Sequence, residues 1–128
     1  MAQMSNFLEN KLIDHVFRNT TYNQAGTVYL ALFESDPTDA NTGSEKSGGG
    51  YARQPVTFVA PTDGGSSNSA DIIFPAAIGD WSVVSHIGIM DAATGGNLIM
   101  HQILTNPVTV LDTNNFRMPL GQLTITFA

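Results

Sequence analysis

Residues 81–104 read WSVVSHIGIMDAATGGNLIMHQIL, and this stretch decides the fold class. Trp81, Val83, Ile87 and Ile89 alternate with Ser82, Val84, His86, Gly88 and Met90, the period of two that belongs to a strand. Asp91 to Asn97 then supplies a glycine-rich turn, and Leu98, Met100 and Leu104 alternate back. The stretch predicts a β-hairpin.

Further strands flank it on both sides. Thr27 to Phe33 is β-branched and aromatic and apolar on both faces, which suits a strand covered on both sides. Tyr51 to Val59 reads as extended, with Tyr51, Val56 and Phe58 as anchors and Pro55 marking an edge position. Ile72-Ile73-Phe74 is short and ends at Pro75. After the hairpin come Val108 with Val110, a turn at Asp112 to Asn115, Phe116-Arg117-Met118, and a one-sided strand from Leu123 to Phe127.

Only the N-terminus shows a helical period. Leu8, Leu12 and Val16 fall at i, i+4 and i+8, and Ile13 and Phe17 widen the same face. Asn6 three residues before Glu9 predicts a capping pair, Arg18 suits the negative helix end, and Arg18 to Thr21 should close the helix. One helix followed by about seven or eight strands excludes a parallel α/β sheet and predicts a mainly β sandwich or barrel. The expectation is a single domain over 1–128, with an arm and helix over about 1–19 and a β-sandwich over about 26–128. No repeat of roughly 20 to 50 residues points to a solenoid or propeller.

Composition narrows the function. A chain of 128 residues holds one core. The absence of cysteine removes disulfides, thiolate metal sites and thiol nucleophiles together. A formal charge of -6, with five basic residues scattered from Lys11 to Arg117, excludes binding to nucleic acid by phosphate neutralisation and binding to an anionic membrane surface. No apolar run approaches the roughly 20 residues of a spanning helix. The first residues carry neither a basic region nor an apolar block, so a soluble domain without a secretion signal is expected. Charged residues make up 12%, about half of the usual ~25%, while nine serines, thirteen threonines and ten asparagines do the solvating. Hydroxyls and amides cost less to desolvate than charges, so such a surface suits contact with other subunits.

Candidate chemistry is sparse. No G-x-S-x-G elbow accompanies His15, His86 or His101, and His86 and His101 on the two hairpin arms read as strand-surface residues rather than metal ligands. Asp36, Asp39 and Glu45 share one polar loop that lacks the ligand order of an EF-hand. Gly48-Gly49-Gly50-Tyr51 precedes a strand and has no following helix or lysine to hold a phosphate. Trp81 reads as a core filler. No catalytic, cofactor or metal residues are predicted, which favours a non-enzymatic structural or binding role.

Several segments are familiar together. Phe7 to His15, Thr27 to Phe33 leading into Ser35-Asp36-Pro37-Thr38, Gly48 to Gln54, Asn68 to Asp71, Phe74-Pro75-Ala76, Trp81, and the hairpin from His86 through Gly95-Gly96-Asn97-Leu98 resemble a family of small tailed-phage virion proteins. The resemblance spans roughly residues 5 to 127, and its motifs are structural ones. It implies a jelly-roll β-sandwich of about eight antiparallel strands with one N-terminal α-helix. It further implies a homotrimeric cement or decoration protein that binds the major capsid protein at the capsid surface and bridges neighbouring subunits. Related sequences often carry a tail-fibre label, which gives the alternative of a tail fibre or accessory protein in host attachment. The lack of cysteine also fits synthesis in the reducing cytoplasm of a bacterial host. Partner contacts are expected from the arm Met1 to Phe7 and the loop Ser35 to Tyr51, both polar, flexible and unable to join the core: Met4, Phe7, Asp36, Asp39, Glu45, Tyr51 and Arg53. Deleting Met1 to Met4 is then expected to weaken particle attachment and to leave the thermal melt almost unchanged.

Overall fold

In chain order the elements are β1 (Gln3–Met4), α1 (Asn6–Phe17), β2 (Val28–Phe33), β3 (Gln54–Val56), β4 (Gly65–Ser67), β5 (Ile72–Ile73), β6 (Val83–Met90), β7 (Leu98–Thr109), β8 (Arg117–Met118) and β9 (Thr124–Thr126). They come from a computed structural model that describes residues 2–127. Five strands form one antiparallel sheet in the order β1-β7-β6-β2-β3, and β4-β9 and β5-β8 form two two-stranded ribbons. The fold is mainly β with one N-terminal helix, as the sequence predicts.

Alternation along the central strands builds two layers. Leu30, Leu32, Ile87, Ile89 and Met100 of the sheet meet Ile72, Phe74, Trp81, Phe116, Met118 and Leu123 in one buried cluster. The ribbons therefore lie across one face of the sheet as the second layer of a sandwich. Each such side chain contributes about 1.5–3 kcal/mol when fully buried. Ala31, Phe33, Met90 and Leu98 form a smaller buried cluster from the opposite face, so β2 is covered on both sides. The Phe33 ring lies directly over Gly88, where an added Cβ would come within 2.8 Å of it. Pro55 sits on β3, the strand that ends the sheet, where a missing N–H costs no ladder bond.

The hairpin is confirmed, and its alternation is corrected. Val83 is 44% exposed and Val84 fully buried, the reverse of the predicted pairing with Trp81 and Ile87. Val84 pairs with Val108 but His86 with Ile103, so the register slips across Ser85. Between these pairs β6 advances two residues and β7 five, so the additional residues lie on β7 and, being odd in number, change the relative facing of the two strands. Trp81 precedes the strand instead of opening it, yet fills the core as expected. A second slip pairs Ile89 with Met100 and Met90 with Leu98, leaving Ile99 between them.

The arm also departs from expectation. Gln3 and Met4 pair with His101 and Met100, the Ser5 N–H donates to Ile99 O at 2.9 Å, and Ala2 and Met4 pack on the core. These residues join the sheet because its outer strand offers free backbone groups that a polar segment satisfies as well as an apolar one. Met1 of the predicted arm lies outside the described residues. Deleting Met1 to Met4 should thus cost about 1 kcal/mol of half-buried Met packing and lower the melt by roughly 4 °C. An unchanged melting temperature would show that β1 adds nothing to stability.

The helix cap is Ser5, not Asn6: its Oγ accepts from the Leu8 N–H and donates to Leu98 O. Ser5→Ala should cost about 1 kcal/mol in urea unfolding, and a loss below roughly 0.3 kcal/mol would contradict the cap. Among the helix and strands, α1 meets only β1 and β7, and its cover falls away beyond Leu12 towards its C-terminal end. Leu8 is buried and Leu12 half-buried, whereas Ile13, Val16 and Phe17 of the same apolar stripe are 51%, 64% and 79% exposed.

Candidate interaction surface

The long segment after β2 is polar and glycine-rich, yet it is fastened at three points. Pro37 is buried at the first. At the second, Glu45 bridges back to Phe33, and the Glu34 and Lys46 N–H groups donate to Ser44 O and Leu32 O. At the third, the Trp81 indole N–H donates to Gly49 O at 2.8 Å. Gly49 adopts φ +61°, and a Cβ there would come within 2.8 Å of the indole nitrogen, so the close approach requires glycine. The prediction of a flexible loop that cannot join the core is therefore corrected, because aromatic and charged side chains outside it supply the partners its own residues lack.

Three predicted contact residues meet in one cluster. Arg53 Nε and Nη2 donate to the two Glu45 carboxylate oxygens at 2.8 and 2.7 Å. The Tyr51 hydroxyl donates to Glu45 Oε2 at 2.6 Å and accepts from the Leu32 N–H at 3.1 Å. Arg53 Nη1 donates to Ala92 O and Gly95 O, which ties the loop to the β6–β7 turn. The Tyr51 ring stacks on Phe74 and meets Trp81 edge-on at 5.9 Å.

Electrostatics follow from this geometry. Burial pushes the Glu45 carboxyl upward, but the hydrogen bonds from Arg53 and Tyr51 and the guanidinium charge outweigh it and hold the group below its ordinary value. Burial, and next the hydrogen bond to Glu45, push the Tyr51 hydroxyl well above the usual tyrosine range, against the opposing Leu32 N–H. A lowered carboxylate stabilises the fold above its unfolded-state value, near pH 4.3, and that stability is lost as the pH falls through the folded-state value. A raised phenol acts on the other limb: its contribution is present below about pH 10 and fades as the pH rises beyond. Glu45→Gln should flatten the acid limb of a stability profile and Tyr51→Phe the alkaline limb. Limbs unchanged in both variants would remove the cluster from the pH response.

Asp36, Asp39 and Phe7 gather on the other side of the same turn. Asp39 Oδ1 lies 2.7 Å from Nε2 of the buried His101, and Asp39 O accepts from the Asn6 N–H. Asp36 Oδ1 accepts from the Thr38 N–H at 2.9 Å and stands 3.9 Å from His101 Nδ1. Phe7 rests edge-on against Tyr22, with Lys11 over its ring. Phe7, Asp39 and Asn97 line a groove of about 420 Å³, and Glu45, Tyr51, Arg53 and Thr94 line one of about 330 Å³. The β6–β7 turn contributes to both grooves. Met4 is absent from both and packs on the core. His86 Nδ1 hydrogen-bonds to the Ser85 hydroxyl next to it.

The chemistry of this end is that of a fixed relief. Glu45 and Arg53 hold one another and the backbone, while Asp36 and Asp39 leave about half of their side chains exposed beside His101, so this end presents a fixed shape with an acidic margin. The apolar stripe read from the sequence includes Ile13, Val16 and Phe17, and the structure leaves these three bare, a second surface on α1. A helical period reveals an apolar face but not what covers it. No helix among the described residues is long and apolar enough to cross a membrane.

Comparison with known proteins adds one finding. A family model described as podophage GP4 fiber I protein gp80 matches residues 3–126. No curated protein matches the chain.

Proposed function

This chain belongs to the podophage GP4 fiber I protein gp80 family of phage structural proteins, and on that premise we propose that it is a non-enzymatic subunit of the fibre apparatus that works by assembly. Copies associate as a homotrimer through the bare half of α1, and the relief around the β6–β7 turn meets neighbouring virion proteins. The observation that carries this reading is the exposure of Ile13, Val16 and Phe17 on one helix end. Contiguous apolar surface in water favours a partner, and the Asp14 and Arg18 beside it neutralise each other at 2.6 Å. A closed ring repeats one heterologous contact, and three tethered copies gain attachment through effective concentration.

Phe17→Asp tests the association. The residue is 79% exposed, so the monomer fold should change by less than about 0.5 kcal/mol. Sedimentation should show trimers for the parent chain and monomers for the variant. A monomeric parent chain would defeat the proposal.

The capsid cement role, with a jelly-roll subunit bridging major capsid proteins, is the second reading, and the uncharged polar surface supports it equally. Gold-labelled protein imaged on particles separates the two. Label at the tail supports a fibre subunit, whereas label spread over the head replaces it with the cement role.

A further inference from the structure

The two longest strands carry no Asp, Glu, Lys or Arg: none falls between Trp81 and Met90 or between Leu98 and Leu111. From Ile103 onward most of β7 is nevertheless exposed. Exposed strands are ordinarily guarded by charges, bulges or proline, and only the last two are present here. Pro107 has no N–H to give, and β7 runs out of step with β6 between Ile103 and Val108. The edge is thus blunted against an added strand, while the face beside it stays apolar.

That face points away from the main cluster. Phe33, His86 and Ile103 pair in one row across β2, β6 and β7, and Phe33 belongs to the smaller cluster on the outer side of the sheet. Directly paired residues point to the same side, so Ile103 points outward too. Val84 faces the main cluster, so its neighbour Val83 faces outward as well. The loop covers the row at Phe33, whereas at the other end Ile103 is 64% exposed and Val83 44%. Glu34, next to Phe33 in the chain, is paired with Lys46 at 3.9 Å. Other exposed apolar residues stand among charges: Ile73 lies opposite Arg117, and the Leu120 N–H donates to Asp71.

We infer that the outer face at Val83 and Ile103 receives the α1 tip, Ile13, Val16 and Phe17, of a neighbouring copy. This contact rests on the homotrimer proposed above and supplies the face it lacks. A closed ring of three repeats a heterologous contact, so each copy gives one face and receives on another. Both faces are apolar. The charges beside each are already paired, Asp14 with Arg18 on the helix and Glu34 with Lys46 on the body, so docking leaves no lone charge desolvated.

Sedimentation of single and mixed variants tests the contact. Ile103→Asp and Val83→Asp, both at exposed positions, should melt like the parent chain yet sediment as monomers. Either variant suffices if the other folds poorly. Phe17→Asp mixed with an equal amount of Ile103→Asp, at up to millimolar concentration, should give a one-to-one dimer. The first variant keeps the receiving face and the second keeps the helix tip, so one sound contact remains between them. A trimeric parent chain whose Ile103→Asp and Val83→Asp variants also stay trimeric overturns this contact and leaves the homotrimer standing, with three α1 tips meeting on the axis. A mixture that stays monomeric overturns it as well. A monomeric parent chain defeats the homotrimer and this contact with it.

Discussion

Trp81→Ala is expected to lower stability by about 4 kcal/mol, a large part of what a domain of this size has. The indole is 2% exposed and sits in the main cluster with Phe74 and Ile72. Its loss leaves a cavity that neighbours on strands cannot collapse to fill. It also removes the donor to Gly49 O and the ring against which Tyr51 is set edge-on. Urea unfolding measures the loss, and hydrogen exchange should show the Gly48 to Gly50 segment opening first. Trp81→Phe keeps most of the volume without the donor and should fall between the two. A loss below about 2 kcal/mol in the alanine variant would mean that the tryptophan is not a keystone of the core.

Arg53→Ala should cost about 3 kcal/mol, because it strips a largely buried carboxylate of its counter-ion. Four donor bonds disappear at once, two to Glu45 and one each to Ala92 O and Gly95 O. Lysine carries the same charge as a single point and cannot form the fork, so Arg53→Lys should restore less than half of the loss. A double-mutant cycle with Glu45→Gln isolates the pair, and a coupling energy near zero would place the cost in packing alone. Because Arg53 reaches the β6–β7 turn from the loop, its removal should also free the groove between them. Faster exchange of the Thr94 and Gly95 amides would report that release.

What could be read from residue order was what depends on near neighbours. The unbroken apolar run of Val28 to Phe33 announces a strand buried on both faces, and Pro55 announces an edge, since each is a property of the local sequence. The parity of β6 was not legible, because the slip across Ser85 is set by the residues of β7 opposite it. Glu45 and Arg53 stand eight positions apart in a polar stretch, and nothing local marks them as partners. The stripe on α1 was visible, but its coverage depends on where the helix is anchored, and Ser5 fixes that point through Leu98 O. Polar composition around Ser35 to Gly50 suggested freedom, whereas indole and guanidinium groups from elsewhere in the chain tie it down.

The pairing of β1 with β7 sets an order of events during synthesis. Ser5 and Leu98 are separated by 93 positions, and a closure of that length gains little until most other contacts exist. In a nascent chain Ser5 therefore lacks its Leu98 partner, and α1 is only marginally formed, until β7 has left the ribosome. The same end of α1 that is bare in the folded subunit is then joined by Leu8, so the early chain offers a longer apolar stripe. Assembly before β7 emerges would join the wrong surfaces, and the late docking of Ser5 shortens that stripe to the face that remains.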